Sequence, residues 1–250
     1  MIQTETPVSQ AIQLKMGKGN AKLPATTATY ANPAGFSCPS AKDCRASANA
    51  DTGHITDGPH MKFRCFSASE EAAFKNTRDA HRYNMNALHA ARSVGRQADL
   101  IVRSLPKGID KVRVHTSGDF FNQTNFDAWM EAGRMRPDLL FYAYTKSLPF
   151  WVARLNDIPD NWVLTASRGG HYDDLIDAHN LREVVVVFHP DEAKALGLEC
   201  DHDDSHAYDK SLHKFALLLH GQQQKGSAAA GAIKQMKDEG IEFSYPSKKK

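Results

Sequence analysis

The sequence predicts an α/β fold: a partial (β/α) barrel of about six parallel strands, with an irregular cysteine-bearing extension on its N-terminal side. Three observations predict it. Short apolar or β-branched runs alternate with helical patterns at spacings of roughly 20 to 30 residues, the pattern of parallel strands joined by right-handed crossovers. The helical stretches are short, which suits a compact or partial barrel better than a roomy doubly wound sheet. Each run is also followed by polar or ionisable residues, and loops at the C-terminal ends of barrel strands converge on one mouth.

Taken in order, residues 1–30 show no sustained periodicity. Ala25-Thr26-Thr27-Ala28-Thr29-Tyr30 reads as an extended lead-in, so residues 1–30 are expected to form an arm. Residues 31–245 are expected to form a single domain and residues 246–250 a basic tail. Ser67-Ala68-Ser69-Glu70 has the form of a capping box, and Ala72, Ala73, Phe74, Ala80, Tyr83, Leu88 and Ala91 continue an apolar side up to Gly95. A further helical piece ends at Pro106-Lys107-Gly108. Buried strands are read at Val112-Arg113-Val114, Leu139-Leu140-Phe141-Tyr142-Ala143-Tyr144, Trp162-Val163-Leu164-Thr165, Val184-Val185-Val186-Val187-Phe188 and Phe215-Ala216-Leu217-Leu218-Leu219. Helices are read between them at residues 125–136, 148–155, 172–179 and 191–196. A last one spans residues 228–237, with Ser227 as its N-cap.

Composition narrows the function. No apolar run approaches the roughly 18 residues of a membrane span, so a membrane partner is not expected. The N-terminus lacks a basic stretch followed by an apolar core, which points to a cytoplasmic, reducing setting. With 31 Lys and Arg against 29 Asp and Glu, the net charge of +2 does not by itself indicate a nucleic-acid partner. Four cysteines are too few for a disulfide scaffold. Cys38, Cys44 and Cys65 cluster, whereas Cys200 stands far downstream. Free cysteine is often a small core residue. Here, however, Cys38 and Cys44 sit in Gly35-Phe36-Ser37-Cys38-Pro39-Ser40-Ala41-Lys42-Asp43-Cys44, a stretch of small, polar and turn residues poorly suited to core packing. Three thiols without a nearby fourth match a coordination shell that keeps one position open.

The strand ends gather the remaining polar chemistry. They read His115-Thr116-Ser117-Gly118-Asp119, Thr145-Lys146-Ser147, Ser167-Arg168-Gly169-Gly170, His189-Pro190 and His220-Gly221-Gln222. Gly118 and Gly221 would permit turns that a Cβ obstructs. No GxGxxG follows a strand and no Walker-type lysine loop is present, so nothing points to a nucleoside triphosphate.

Several of these blocks together carry a resemblance. They are Gly35-Phe36-Ser37-Cys38-Pro39-Ser40-Ala41, the stretch from Thr52-Gly53 through Asp57-Gly58-Pro59 to Phe63-Arg64-Cys65-Phe66, and His115-Thr116-Ser117-Gly118-Asp119-Phe120-Phe121. Phe141-Tyr142-Ala143-Tyr144-Thr145-Lys146-Ser147 and Phe215-Ala216-Leu217-Leu218-Leu219-His220-Gly221 complete the set. The chain resembles the gene-product-88 family of bacteriophages, itself similar to radical S-adenosylmethionine (SAM) proteins, over roughly residues 20–245. The resemblance implies a radical-SAM-like partial barrel in which Cys38, Cys44 and Cys65 hold a [4Fe–4S] cluster. It implies that the open iron binds SAM, which a reduced cluster cleaves to a 5′-deoxyadenosyl radical acting on a substrate. Ser117, Gly118 and Asp119 would then meet the SAM amino group. Thr145, Lys146, Ser167 and Arg168 would serve its carboxylate and ribose, and His189 and His220 are further cofactor-binding candidates. The usual cysteine spacing of such proteins is C-x3-C-x2-C. Here it is C-x5-C-x20-C, so residues 45–64 must fold back on themselves, with Asp51-Thr52-Gly53 and Asp57-Gly58-Pro59 as turns.

Two other readings stay open at this level. His115, Asp119, His189 and His220 could bind a divalent metal and make a barrel hydrolase. Alternatively, a zinc- or cluster-stapled binding protein could complete its shell with Cys200, His202 or His206. No residue pattern distinguishes a nucleobase, a peptide or a small metabolite as substrate, and none sets the oligomeric state.

Overall fold

The computed structural model describes residues 12–20 and 22–242. In chain order these form β1 (Gly17–Lys18), β2 (Thr27–Ala31), a hairpin of β3 (Ala46–Ala48) and β4 (Ile55–Asp57), α1 (Phe66–Ala73), α2 (Lys75–Ala91) and α3 (Val94–Ser104). An alternating series follows: β5 (Lys111–Ser117), α4 (Gln123–Met135), β6 (Leu140–Thr145), α5 (Leu148–Val152), β7 (Trp162–Ser167), α6 (Asp174–Ala178), β8 (Glu183–Val187) and α7 (Pro190–Ala195). The described chain ends with α8 (Ser205–Tyr208), β9 (Lys214–Leu218) and α9 (Ala228–Asp238). Of the predicted arm (1–30), residues 1–11 and 21 lie outside the described residues, as does the whole predicted basic tail (246–250).

Seven strands make one sheet in the order β1-β2-β5-β6-β7-β8-β9. β1 runs antiparallel to β2, and every later neighbour pair is parallel. The fold is therefore mixed α/β with a mostly parallel sheet. Its edges, β1 and β9, do not pair with each other, so no closed barrel is formed among the described residues. The six parallel strands follow one another in space as they do in sequence, without the reversal of a doubly wound sheet.

Strand alternation sorts the sheet into two faces. Val112, Val114, Phe141, Ala143, Trp162 and Leu164 pack with Ile101 of α3, Phe126 and Trp129 of α4 and Ile176 of α6 in the principal core. Val185, Val187, Ala216 and Leu218 continue that face against Ala193 of α7 and Met236 of α9. Each fully buried large side chain contributes roughly 1.5–3 kcal/mol. The opposite face presents Arg113, Tyr142, Tyr144 and Phe215. It is covered partly by the segment around α8, where Tyr142 and Val163 pack on Ala207 and Tyr208.

Four sequence readings change. The lead-in around Thr27 is a true strand: β2 is the first of the six parallel strands and is almost wholly buried. The cysteine-bearing segment is consequently an insertion between β2 and β5 rather than an extension ahead of the sheet. The capping box is not formed, because α1 begins at Phe66 with Cys65 at its N-cap. Ser67 Oγ instead reaches Thr116 O (3.3 Å) and Ser69 Oγ reaches Gln222 O (3.1 Å), so tertiary partners draw both hydroxyls away from the helix end. The helical stretch that follows is broken at Phe74, whose extended backbone separates α1 from α2.

Candidate functional site

The insertion between β2 and β5 is stitched onto the ends of two strands. Gly118, just past β5, has φ +77°, and a Cβ there would lie 2.3 Å from Ser37 Oγ and 2.7 Å from Asn32 Cβ. Glycine is therefore needed for the loop carrying Cys38 to approach this closely. At the end of β7, Gly169 O accepts from the amides of Lys42 and Asp43, and Ser40 O accepts from the amide of His171. Gly169 and Gly170 in turn donate their amides to Asp173 (2.8 and 2.9 Å), which fixes this turn. The loop from Cys38 to Cys44 is thus pinned at both ends.

Residues 45–64 fold back as the spacing requires. β3 and β4 form an antiparallel hairpin, Gly58 N donates to Arg45 O, and Arg64 Nε donates to Asp57 Oδ1 (2.9 Å) at its base. This return path brings Cys65 to the start of α1. The amides of Ser67 and Ala68 there favour its thiolate, although neither makes a full capping hydrogen bond.

Cys38, Cys44 and Cys65 all line one cavity of about 540 Å³ at the C-terminal ends of the parallel strands. All three are free thiols. Burial pushes each thiol up, Cys65 to about 12, and Asp119 adds to the rise at Cys38. At Cys44 the Lys146 ammonium opposes burial. Thiols held this far up are poor nucleophiles by themselves, because the thiolate is the reactive form; a coordinated metal removes the proton outright. Among the described residues, no three His, Cys, Asp or Glu side chains converge as ligands of a single ion.

Ser117, Gly118, Asp119, Thr145, Lys146, Ser167 and His220 line the same cavity. Several are bonded to one another. Asp119 accepts from Thr145 Oγ1 (2.6 Å), Lys146 N (2.8 Å) and Phe120 N (2.8 Å). Burial raises its carboxyl above the ordinary range, while these three donors hold it back. Lys146 Nζ donates to Ser167 Oγ, Ser167 O and Arg168 O, each at 2.8 Å. This mesh ties the ends of β5, β6 and β7 into one rigid floor. The hydroxyl proton of Ser167 remains for a ligand.

Two of the named candidates lie elsewhere. Arg168 shares its parity with Ala166, so strand alternation turns it to the helix-bearing face, where its guanidinium pairs with Glu183 and Asp177. Only its carbonyl reaches toward the floor. His189 is the N-cap of α7, accepting from Asp191 N, and its Nε2 meets Glu239 Oε2 at 2.7 Å. It joins α7 to the end of α9.

His115 also departs from expectation. Thr29 pairs with Arg113 and Ala31 with Ser117, so two steps of β2 face four of β5 and β5 bulges between them. Within the bulge His115 adopts φ +60°, and its ring joins Tyr30, Phe120 and Trp129 on the core side. Burial, assisted by Arg113, lowers it to about 3, so the ring is neutral. Neither ring nitrogen has a hydrogen-bond partner among the described residues. His115, Asp119 and His220 all border the cavity, but the His115 ring is turned toward the core and His189 caps α7, so the four residues of the hydrolase reading do not share one site. Cys200 likewise packs away from the other thiols, beside Met236 and Ala216.

The structure adds residues that the sequence reading missed. Glu70, Thr77 and His81, from α1 and α2, form a further wall of the cavity. Fully buried Glu71 stands behind them, and its Oε1 accepts from Ala34 N (2.9 Å), Ser117 Oγ (3.2 Å) and His81 Nδ1 (2.8 Å). His81 Nε2 and the Glu70 carboxylate have no hydrogen-bond partner among the described residues. No local sequence signal marks this wall, because it forms only where the break at Phe74 sets α2 against α1.

No curated protein and no solved structure matches the chain. A family model described as gene product 88 matches residues 6–236, a span that takes in both the pinned cysteine loop and every strand of the sheet. The chain belongs to the gene product 88 family.

Proposed function

We propose that this chain is an iron–sulfur protein of the radical SAM type. Cys38, Cys44 and Cys65 would hold a [4Fe–4S] cluster, and the adjoining cavity would receive SAM and a substrate. One observation carries the reading: three thiols, separated by five and then twenty residues, line a single cavity at the strand ends although nothing local in sequence unites them. The donor set fits the group. It is three free thiols, with the fourth cysteine, Cys200, packed elsewhere, which matches a cluster with one iron left open.

The architecture supports the same reading. Six parallel strands in sequential order, with helices packed on one face and the cavity at the strand ends, are what an open barrel would require. β5 is the second parallel strand, and it ends in the Ser117-Gly118-Asp119 turn beside Cys38.

When bound, a reduced cluster would supply the single electron that breaks a carbon–sulfur bond of the sulfonium cofactor. The chain's own residues do the rest. The amides at the start of α1 together with the Lys146 ammonium offset the charge of the ligating sulfurs. Asp119, held by three donors, presents a fixed negative group to a ligand ammonium. The Ser167 hydroxyl, Glu70 and His81 Nε2 offer unspent hydrogen-bonding capacity for a ribose or for substrate. Electron paramagnetic resonance of the anaerobically reconstituted, dithionite-reduced protein tests this. A [4Fe–4S] signal whose g-values shift on adding SAM supports the reading; a cluster signal indifferent to SAM would leave a structural cluster alone.

A further inference from the structure

The net charge of +2 conceals a separation of charge along the fold. Residues 75–107 carry seven Lys and Arg against two Asp, whereas residues 190–209 carry seven carboxylates against one lysine. The first set lies on α2, α3 and the turns that follow them; of its members Arg78 is buried and Lys75 pairs with Asp79. The segment leading into β1 runs across them: Leu14 N donates to Ser104 Oγ (2.8 Å), Lys15 N to Asn84 Oδ1 (2.7 Å) and Arg103 Nε to Ile12 O (3.3 Å). Lys18 Nζ donates to Lys107 O (2.7 Å), which brings the loop after α3 onto the same surface. Lys15, Lys18, Arg96, Arg103 and Lys107 are all exposed on this face, and none forms an ion pair with a described carboxylate. Between Arg96 and Arg103 lies a groove of about 280 Å³ floored by Ala87 and Leu100, with Asp99 as its carboxylate. Beside it the exposed Tyr83 ring carries the Lys15 ammonium 5.0 Å from its centroid.

We propose that this α2–α3 face is a docking surface for single-stranded nucleic acid. Several exposed cations outside any ion pair among the described residues, on one contiguous face that also holds Asp79 and Asp99, match a phosphate backbone, and a polyanion gains by releasing its counterions. The exposed tyrosine and the apolar groove flanked by arginines add what stacked bases use and a rigid duplex does not. The face is distinct from the cavity, so the surface stands whether or not a cluster is bound.

Fluorescence anisotropy of the full chain with a labelled 20-nucleotide single strand tests the proposal, with duplex DNA, polyglutamate and phosphatidylserine vesicles as the competing arms. With four or five phosphates engaged, affinity should fall about 50- to 100-fold between 50 and 200 mM salt. The single strand should bind more tightly than the duplex. The triple variant Lys15→Glu, Arg96→Glu, Lys107→Glu should lose roughly 100-fold or more in affinity at 50 mM salt while keeping its circular dichroism and melting temperature. Should that variant unfold, the single Arg96→Gln change decides, since it should lower the salt slope by about 0.7. Unchanged binding in these variants, a loss seen only on removing Lys248–Lys250, or capture by vesicles or polyglutamate in preference to the strand would overturn the proposal.

Discussion

The carboxylate of Glu71 lies 2.8 Å from Nδ1 of His81, and the same oxygen receives the Ser117 hydroxyl and the Ala34 amide. One buried oxygen thus joins the helical wall of the cavity, the end of β5 and the start of the cysteine loop. Glu71→Leu leaves three donors without an acceptor and should destabilise the protein by about 3 kcal/mol or more. Glu71→Gln keeps an acceptor and should cost clearly less. Urea denaturation of the two variants gives the order, and equal losses would contradict this account of the junction.

Glycines at two positions should respond in opposite directions. Gly118→Ala forces a Cβ toward Ser37 Oγ and Asn32 at φ +77°, and should cost roughly 1–3 kcal/mol. Gly231, inside α9, has nothing within 4 Å of a built Cβ, so Gly231→Ala should add about 0.5–1 kcal/mol. Thermal melting of the pair measures both signs.

His115 sets part of the acid limb of stability. Its folded-state value of about 3 lies below the ordinary histidine range, so the unfolded chain binds a proton that the folded chain refuses. Its contribution is complete above the unfolded value near 6.5 and declines as pH falls toward 3, by up to about 1.4 kcal/mol per pH unit. His220, lowered by burial, adds in the same direction. In His115→Phe the stability curve between pH 6 and 4 should be flatter than in the parent, whatever the absolute stability of the variant. An unchanged slope would show that other groups govern acid unfolding.

Asp119 acts with the opposite sign. Burial raises its carboxyl, so its ionisation costs stability as pH rises from the ordinary carboxylate value through the raised one. Its hydrogen bonds from Thr145, Lys146 and Phe120 outweigh that cost at neutral pH. Asp119→Ala should therefore destabilise by about 1–3 kcal/mol, read by chemical denaturation at pH 7. A gain in stability would mean that the desolvation cost dominates.

The strands from β5 to β9 were legible in the sequence because each is a compact apolar run bounded by turn residues, and α4 to α7 between them followed from spacing, whereas α8 was not read. β2 was not, since Thr27-Ala28-Thr29-Tyr30-Ala31 is small and polar enough to pass for coil; its neighbour β5 makes it a strand. The candidate site was readable where chemistry is local, as in the three cysteines and the Ser117-Gly118-Asp119 turn. Arg168 and His189 could have been set aside from sequence alone, because strand parity places Arg168 with Ala166 and His189 with Val187, on the side of the helices. His81 and Glu71 carried no local signal, as their meeting depends on the break at Phe74 that folds α2 back toward α1. The reversal of His115 into the core arises from a mismatch in register between β2 and β5, which no single strand encodes.

Iron and acid-labile sulfide per chain, measured after anaerobic reconstitution of the parent and of four single cysteine variants, tests the central claim most directly. The account predicts about four iron and four sulfide in the parent. It predicts a severe loss in Cys38→Ala, Cys44→Ala and Cys65→Ala, and full retention in Cys200→Ala. A parent protein that stays colourless and free of sulfide, or a cluster that survives removal of any one of the three cavity cysteines, would contradict it.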